Sequence, residues 1–367
     1  MTTKKNISGI LSNALQTIKT GNKRLAIQFL SDYCTDDSDD ANIPREIANF
    51  LQKNNMPIKA EMFYQNSLSI DNNQSSIYFN LGVIYQQMDK TEQAIAAYIQ
   101  ATEISPDYAK AYANLGYIYH ETGDTEKSKA ACLKAQSLDP ENPQIKHMIA
   151  ALGIEPLPET ANQQYIKDLY KDYAGHYDEH LSVTLKSKVP ELIFNTTLEF
   201  MTSKSPTNTL LDLGCGTGIC GNLFIDHANK MTGVDLSEEM IEEARKKEIY
   251  SQLFVSDLGE YLVKNNDTFD IAISSDVLIY IGNLQEIFDG VYKSLNKNGL
   301  FTFSIESSFN SEDDFILDST GRYKHNPAYI ENIAKNSGFT ILSSNETELR
   351  QQNKKGVIGR IYVVNRA

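Results

Sequence analysis

The 367-residue chain has no tryptophan, only four cysteines and ten prolines, and no long apolar run. A membrane helix needs roughly 18 uninterrupted apolar residues, so a spanning segment is not expected. The opening MTTKKNISGILSNALQ has lysines with no apolar stretch behind them, unlike a secretory leader. Cys34, Cys132, Cys215 and Cys220 form neither a CxxC pair nor a disulfide framework, which points to a reducing cytoplasm. Positive charge is also scarce, with 34 Lys and Arg against 48 Asp and Glu. The net charge of −14 disfavours nucleic acid or an anionic membrane as partner. Residues 1–152 carry only −3 of it and the remainder −11, so the acidity belongs to the C-terminal half.

An internal repeat dominates the N-terminal half. Residues 75–108 and 109–142 align at an offset of 34. Tyr78, Leu81, Gly82 and Tyr85 recur as Tyr112, Leu115, Gly116 and Tyr119, and Ala101 and Pro106 as Ala135 and Pro140. Small residues let two helices approach closely, and proline ends the second helix because it lacks an amide donor. The period and signature resemble tetratricopeptide repeats, an all-α superhelical array. Stepping back by the same period gives a third copy at 41–74 and a degenerate one at 7–40, so about four repeats are expected. Residues 143–152 read as a capping helix, residues 1–152 as the repeat domain and 153–161 as a linker holding Pro156 and Pro158. Such arrays bind a protein or peptide on their concave face, although packing on a neighbouring domain is the plainer alternative. The acidic run DYCTDDSDD lacks calcium-loop spacing and reads as a solvated loop.

Residues 162–367 alternate strand and helix patterns, as a parallel sheet covered on both faces requires. The segment LLDLGCGTGICG puts Gly214, Gly216 and Gly218 between a strand and a helix, where backbone can pass close to a ligand. Gly216, Gly218 and Gly221 also satisfy the dinucleotide fingerprint, and Asp235 stands nineteen residues past Gly216. The glycines alone therefore leave a nicotinamide enzyme open. Asp212 before the glycines, Asp235 with Leu236 and Met240, VSDL with Asp257 and Leu258, and FDIAISSDVL with Ser274 separate the two readings.

Together these motifs resemble class I S-adenosylmethionine (SAM)-dependent methyltransferases, with a Rossmann-like α/β domain whose seventh strand runs antiparallel. The resemblance implies that Asp212, Gly214, Cys215, Gly216 and Gly218 hold the methionine moiety and Asp235 the ribose hydroxyls. Leu236 and Met240 would flank the adenine, Asp257 take its amino group, Leu258 join the cofactor site and Ser274 line the floor. A narrower resemblance, through KDLYKDYAGHYDEHL, SDVLIYIGNL and GRYKHNPAYI, is to bacterial methyltransferases with N-terminal tetratricopeptide repeats. It implies that Tyr173 closes over the cofactor; Ser187 stands where that group usually has an aromatic residue.

The expected reaction is methyl transfer from SAM to O, N or C of an acceptor; the alternative is an interaction scaffold that binds cofactor without turnover. Asp276, two residues past the fourth strand, is the candidate for orienting the acceptor or its proton, or else a helix N-terminal carboxylate. Arg322, Tyr323 and His325 sit in an irregular insertion and either bind acceptor or form a surface turn. His176 and His180 share a helical face, but no third ligand accompanies them and no metal is expected.

Overall fold

A computed structural model describes residues 7–34, 40–171, 174–202, 207–309, 312–352 and 355–367. They form two compact units, 1–145 and 146–367, divided inside the helix Pro143–Ala151 that the sequence marks as a cap. Most of the acidic run, residues 35–39, lies outside the described residues.

In the first unit, helices Ile7–Lys19 and Lys23–Cys34, Asn42–Lys53 and Pro57–Ile70, Ser75–Gln87 and Thr91–Ile104, and Ala109–Glu121 and Thr125–Leu138 pack as successive pairs. A Cβ on Gly82 would collide with the Tyr98 ring, so the repeat glycine is set by helix contact. The 34-residue period also carries a polar relay. Tyr64 donates its hydroxyl to Gln52 at 2.8 Å and accepts from Asn80 at 2.9 Å. One period on, Tyr98 donates to Gln86 at 2.5 Å and accepts from Asn114 at 3.0 Å. Each buried tyrosine thus ties its own hairpin to the next, and burial pushes its hydroxyl pKa above the ordinary range.

Among the described residues, the second unit is built on one sheet of nine strands: β1 Asn208–Leu213, β2 Ala228–Asp235, β3 Gln252–Val255, β4 Phe269–Ser274, β5 Leu295–Ser307, β6 Phe315–Leu317, β7 Tyr323–His325, β8 Phe339–Gln352 and β9 Lys355–Arg366. β3, β2, β1, β4 and β5 run parallel in that spatial order, and β9 lies antiparallel between β5 and β8. Those seven strands give the expected topology, with the final pair antiparallel. β6 and β7 are additional and form a short hairpin beside the end of β5.

Alternation along the strands puts apolar residues on both faces. Leu211, Leu213, Phe301, Phe303, Tyr362 and Val364 pack against helices Gln285–Ser294 and Pro327–Asn336. Leu210, Ile271, Ile273, Ile361 and Val363 pack on the other side against helix Val189–Phe200. The strand order reverses between β1 and β4, and the loops leaving them there part to make a crevice.

The end of the expected linker is not a free tether. Glu159 accepts backbone bonds from Gly282 and Asn283, and Ala161 donates to Tyr280 at 2.9 Å. An isolated antiparallel bridge joins Thr160 to Ile281. These bonds seat residues 159–161 in the crevice wall.

Candidate active site

A cleft of about 740 Å³ lies beyond the C-terminal ends of β1 to β4. Each strand delivers its next residues to it: Gly214 and Gly216 after β1, Leu236 after β2, Asp257 and Leu258 after β3, Ser275 and Asp276 after β4. Asp235, the last residue of β2, and Met240 line it as well. Tyr170, Tyr177, Tyr280, Thr160 and Ala161 form the opposing wall. A smaller compartment of about 360 Å³ shares Tyr177, Gly214, Gly216, Ser275 and Asp276 and adds Cys215, Thr217 and Ser187. Ser187 therefore faces the site despite lacking the expected aromatic ring.

The glycine turn is pinned at both ends. Gly214 has φ +74°, where a Cβ would strike the Val277 side chain. Its amide and that of Cys215 both donate to Val234 O. The Gly216 amide donates to Asp235 Oδ2 at 2.8 Å, and Ser237 N donates to Asp235 Oδ1 at 2.9 Å. Asp235 thus joins the loop after β1 to the helix after β2, with acceptor capacity left on the carboxylate. Burial raises its pKa, and the amide bonds from Ser237, Gly216 and Leu236 pull it back. Asp257 caps helix Leu258–Lys264, its Oδ1 accepting from Glu260 N at 3.2 Å. Gly218, at φ +86°, starts helix Ile219–Leu223 and does not line the cleft.

Several expected positions are corrected. Asp212 is fully buried and outside the cleft lining; its Oδ2 accepts from Tyr250 OH at 2.6 Å and its Oδ1 has no partner. Burial pushes its pKa up to about 7, against the lowering effect of the Tyr250 hydrogen bond. Ser274 is likewise buried, with an unpartnered hydroxyl, because β4 turns it inward; its neighbour Ser275 lines the cleft instead. Tyr173 lies outside the described residues, as do the side chains of His176 and His180.

Within the insertion after β5, Phe315–Leu317 and Tyr323–His325 form paired strands rather than an irregular turn. Tyr323 is buried and donates to Pro158 O at 2.9 Å. His325 Nε2 meets Ile281 O at 2.9 Å, and burial lowers its pKa to about 4. Neither lines the cleft: both brace the segments that form its wall. Arg322 is partly exposed, with Nη1 donating to Gln352 Oε1 at 2.9 Å.

Asp276 occupies the left-handed region at φ +60°, an uncommon conformation for a side chain with a Cβ. Its amide donates to Ser304 Oγ at 2.9 Å and its Oδ1 accepts from Arg350 Nη1 at 2.8 Å. Arg350, almost fully buried, also pairs with Glu306. Asp276 is therefore an ion-paired cleft residue, not a helix cap. Arg350, Glu306 and Tyr250 escaped the sequence reading, since no motif marks a lone arginine on a polar strand. The paired tyrosines Tyr170 and Tyr280, with hydroxyls 2.8 Å apart, had no local signal either.

This crevice, built at a strand-order switch with a glycine turn and an acidic β2 end, is the ligand crevice of a Rossmann-like α/β sheet. Residues 185–344 match the methyltransferase domain family, and 63–96, 87–123 and 109–142 match tetratricopeptide repeat families. The segment that resembles a methyltransferase domain thus lies C-terminal to the segments that match tetratricopeptide repeats. It is 27% identical over 146 residues to malonyl-[acyl-carrier protein] O-methyltransferase of Serratia marcescens, covering 40% of this chain and 54% of that one. It is 26% identical over 126 residues to the 18S rRNA (guanine(1575)-N(7))-methyltransferase of Saccharomyces cerevisiae, covering 31% and 46%. The crystal structure of magnesium protoporphyrin IX methyltransferase from Synechocystis PCC 6803 with bound SAM aligns at TM-score 0.43 and 17% identity, over 56% of this chain and 97% of that one. The chain spans about half the length of the curated relatives it matches.

Proposed function

We propose that the C-terminal unit transfers a methyl group from SAM to an acceptor, and that the repeat array recruits a protein partner or substrate. The observation that carries this reading is the Asp235 carboxylate, which holds Gly216 and Ser237 through their amides and faces the cleft at the strand-order switch.

The residues present suit SAM. Asp235 keeps acceptor capacity for a ribose diol, and the apolar Leu236, Met240 and Leu258 suit the faces of an adenine. Asp257 suits its amino group. The turn Gly214–Gly218 with Cys215 borders the smaller compartment, where a methionine tail fits. Asp212 stays outside the cleft lining, its Oδ2 holding Tyr250, and so acts from below the turn. Bound SAM supplies a sulfonium methyl that is already activated, so positioning of the acceptor is the main task left to the protein. Asp276, fixed by Ser304 and Arg350, borders both compartments and is the group placed to orient an acceptor.

Calorimetry with SAM and with NAD tests the cofactor. Micromolar SAM binding with no heat from NAD is expected; the reverse would overturn the reading. Transfer of labelled methyl into a cell extract, with release of S-adenosylhomocysteine, separates an enzyme from a cofactor-binding scaffold.

A further inference from the structure

Two acids hold the glycine turn to the helix that follows β2. Asp235 joins Gly216 to Ser237, the residue that caps the start of helix Glu238–Lys246. Asp178 makes the corresponding link at the other end of that helix. Its Oδ1 accepts from Thr217 Oγ1 at 2.5 Å, and its Oδ2 accepts from Lys247 Nζ at 2.8 Å. Thr217 belongs to the turn, is almost fully buried and lines the smaller compartment. Lys247 directly follows the helix. Asp178 is half-exposed and comes from neither element.

Its own segment, 177–187, is a wall of the site. Tyr177, Leu181 and Ser187 line the smaller compartment, and Tyr177 lines the larger cleft as well. The far end of this wall is pinned to β8 by backbone bonds: Gln351 N donates to Leu185 O at 2.7 Å, and Lys188 N to Leu349 O at 2.9 Å. The near end is the single helical turn Tyr177–Glu179, which Asp178 holds against the glycine turn. One carboxylate, with both oxygens engaged, therefore joins two facing walls of the compartment. A hydrogen bond to an ionised acceptor is of the stronger kind, and its loss would leave the buried Thr217 hydroxyl without that partner.

We propose that Asp178 is a positioning residue for the methyl donor, latching segment 177–187 to Thr217 so that the compartment for the donor's amino-acid tail is assembled before the donor arrives. The proposal rests on the methyltransferase reading above. Asp178 lines neither compartment, so it acts through Thr217 and Tyr177 and does not touch the ligand. Walls already in place spare the ligand the cost of ordering them; where the assembled form is only a fraction of the population, apparent affinity falls by that fraction. The loss falls mainly on ligands that carry the tail, because Leu181 and Ser187 line the smaller compartment and not the larger one.

The test is calorimetry with two probes: S-adenosylhomocysteine, which has the amino-acid tail, and 5′-methylthioadenosine, which lacks it. Asp178→Ala should weaken S-adenosylhomocysteine ~10-fold or more and 5′-methylthioadenosine by no more than about twofold. Equal weakening of both probes, or of neither, would overturn the proposal. In a Thr217→Val background the same replacement should cost less than about twofold further, because the bond is already absent and the remaining surface pair with Lys247 contributes little. A full ~10-fold loss in that background would show that Asp178 does not act through Thr217, and the latch would fall. Asp178→Asn keeps an acceptor for Thr217 but not the charge, so it should regain part of the tail-dependent affinity. Should the alanine variant fail to fold, Asp178→Asn carries the same comparison: a smaller tail-dependent loss is expected, and none would overturn the proposal. A wild-type chain that binds neither probe would refute the methyltransferase reading itself.

Discussion

Arg350 Nη1 lies 2.8 Å from Asp276 Oδ1, and the same buried guanidinium pairs with Glu306 at the end of β5. One arginine from the penultimate strand therefore locks the cleft residue after β4 to the strand beside it. Replacing Arg350 with Met strands the buried Glu306 and the largely buried Asp276 and should destabilise the unit by roughly 3–5 kcal/mol. Arg350→Lys, which keeps the charge, should lose less. Urea unfolding of both variants measures the difference, and equal stability of Arg350→Met and wild type would remove the lock.

Asp235→Ala removes both the carboxylate proposed to hold the ribose and the acceptor of the Gly216 and Ser237 amides. Hydrogen bonds to a charged group contribute about 1.5–3 kcal/mol, so SAM affinity should fall ~10-fold or more. Calorimetry against the wild type reads this directly, and unchanged affinity would exclude the ribose role.

Two buried groups give opposite pH slopes. His325 has its pKa lowered by burial to about 4, below the ordinary 6.5, so the unfolded chain takes the proton first and stability falls as pH drops from 6.5 to 4. Asp212 is raised by burial from 3.8 to about 7, so the folded state keeps its proton longer and stability falls as pH rises through that range. The two slopes oppose each other between pH 4 and 6.5. Asp212→Asn removes one of them, and the variant should lose about 3 kcal/mol more than wild type on acidification across that range. Hydrogen exchange of the β1 and β5 amides at several pH values measures it; parallel profiles would contradict the Asp212 assignment.

Tyr98→Phe cuts the relay between Gln86 and Asn114 while keeping the ring that Gly82 accommodates. A cost of about 1–2 kcal/mol is expected, because the two amides lose their shared partner. Thermal unfolding of the full chain should show it; an unshifted transition would mean that ring packing alone joins these repeats.

Local periodicity carried much of the architecture. The 34-residue offset placed the paired helices, and the Gly82 contact with Tyr98 follows from the repeat signature itself. The run TLLDLG, the acid ending KMTGVD and the cap at Asp257 are patterns within a few residues, so β1, β2 and the helix after β3 could be read directly. In the insertion Tyr323–His325, two buried side chains flank an outward Lys324, a pattern too short to tell from a turn.

Features that depend on neighbours along the chain were therefore legible without the fold: repeat period, strand and helix order, the glycine turn and the acid at the end of β2. Tertiary structure decided which polar groups are buried and what they meet. Asp212 turns under the loop to Tyr250, Ser275 rather than Ser274 faces the cleft, and Arg350 crosses seventy-four positions to reach Asp276. Such pairings arise because strands distant in sequence become neighbours in the sheet, where burial penalises any charge left without a partner.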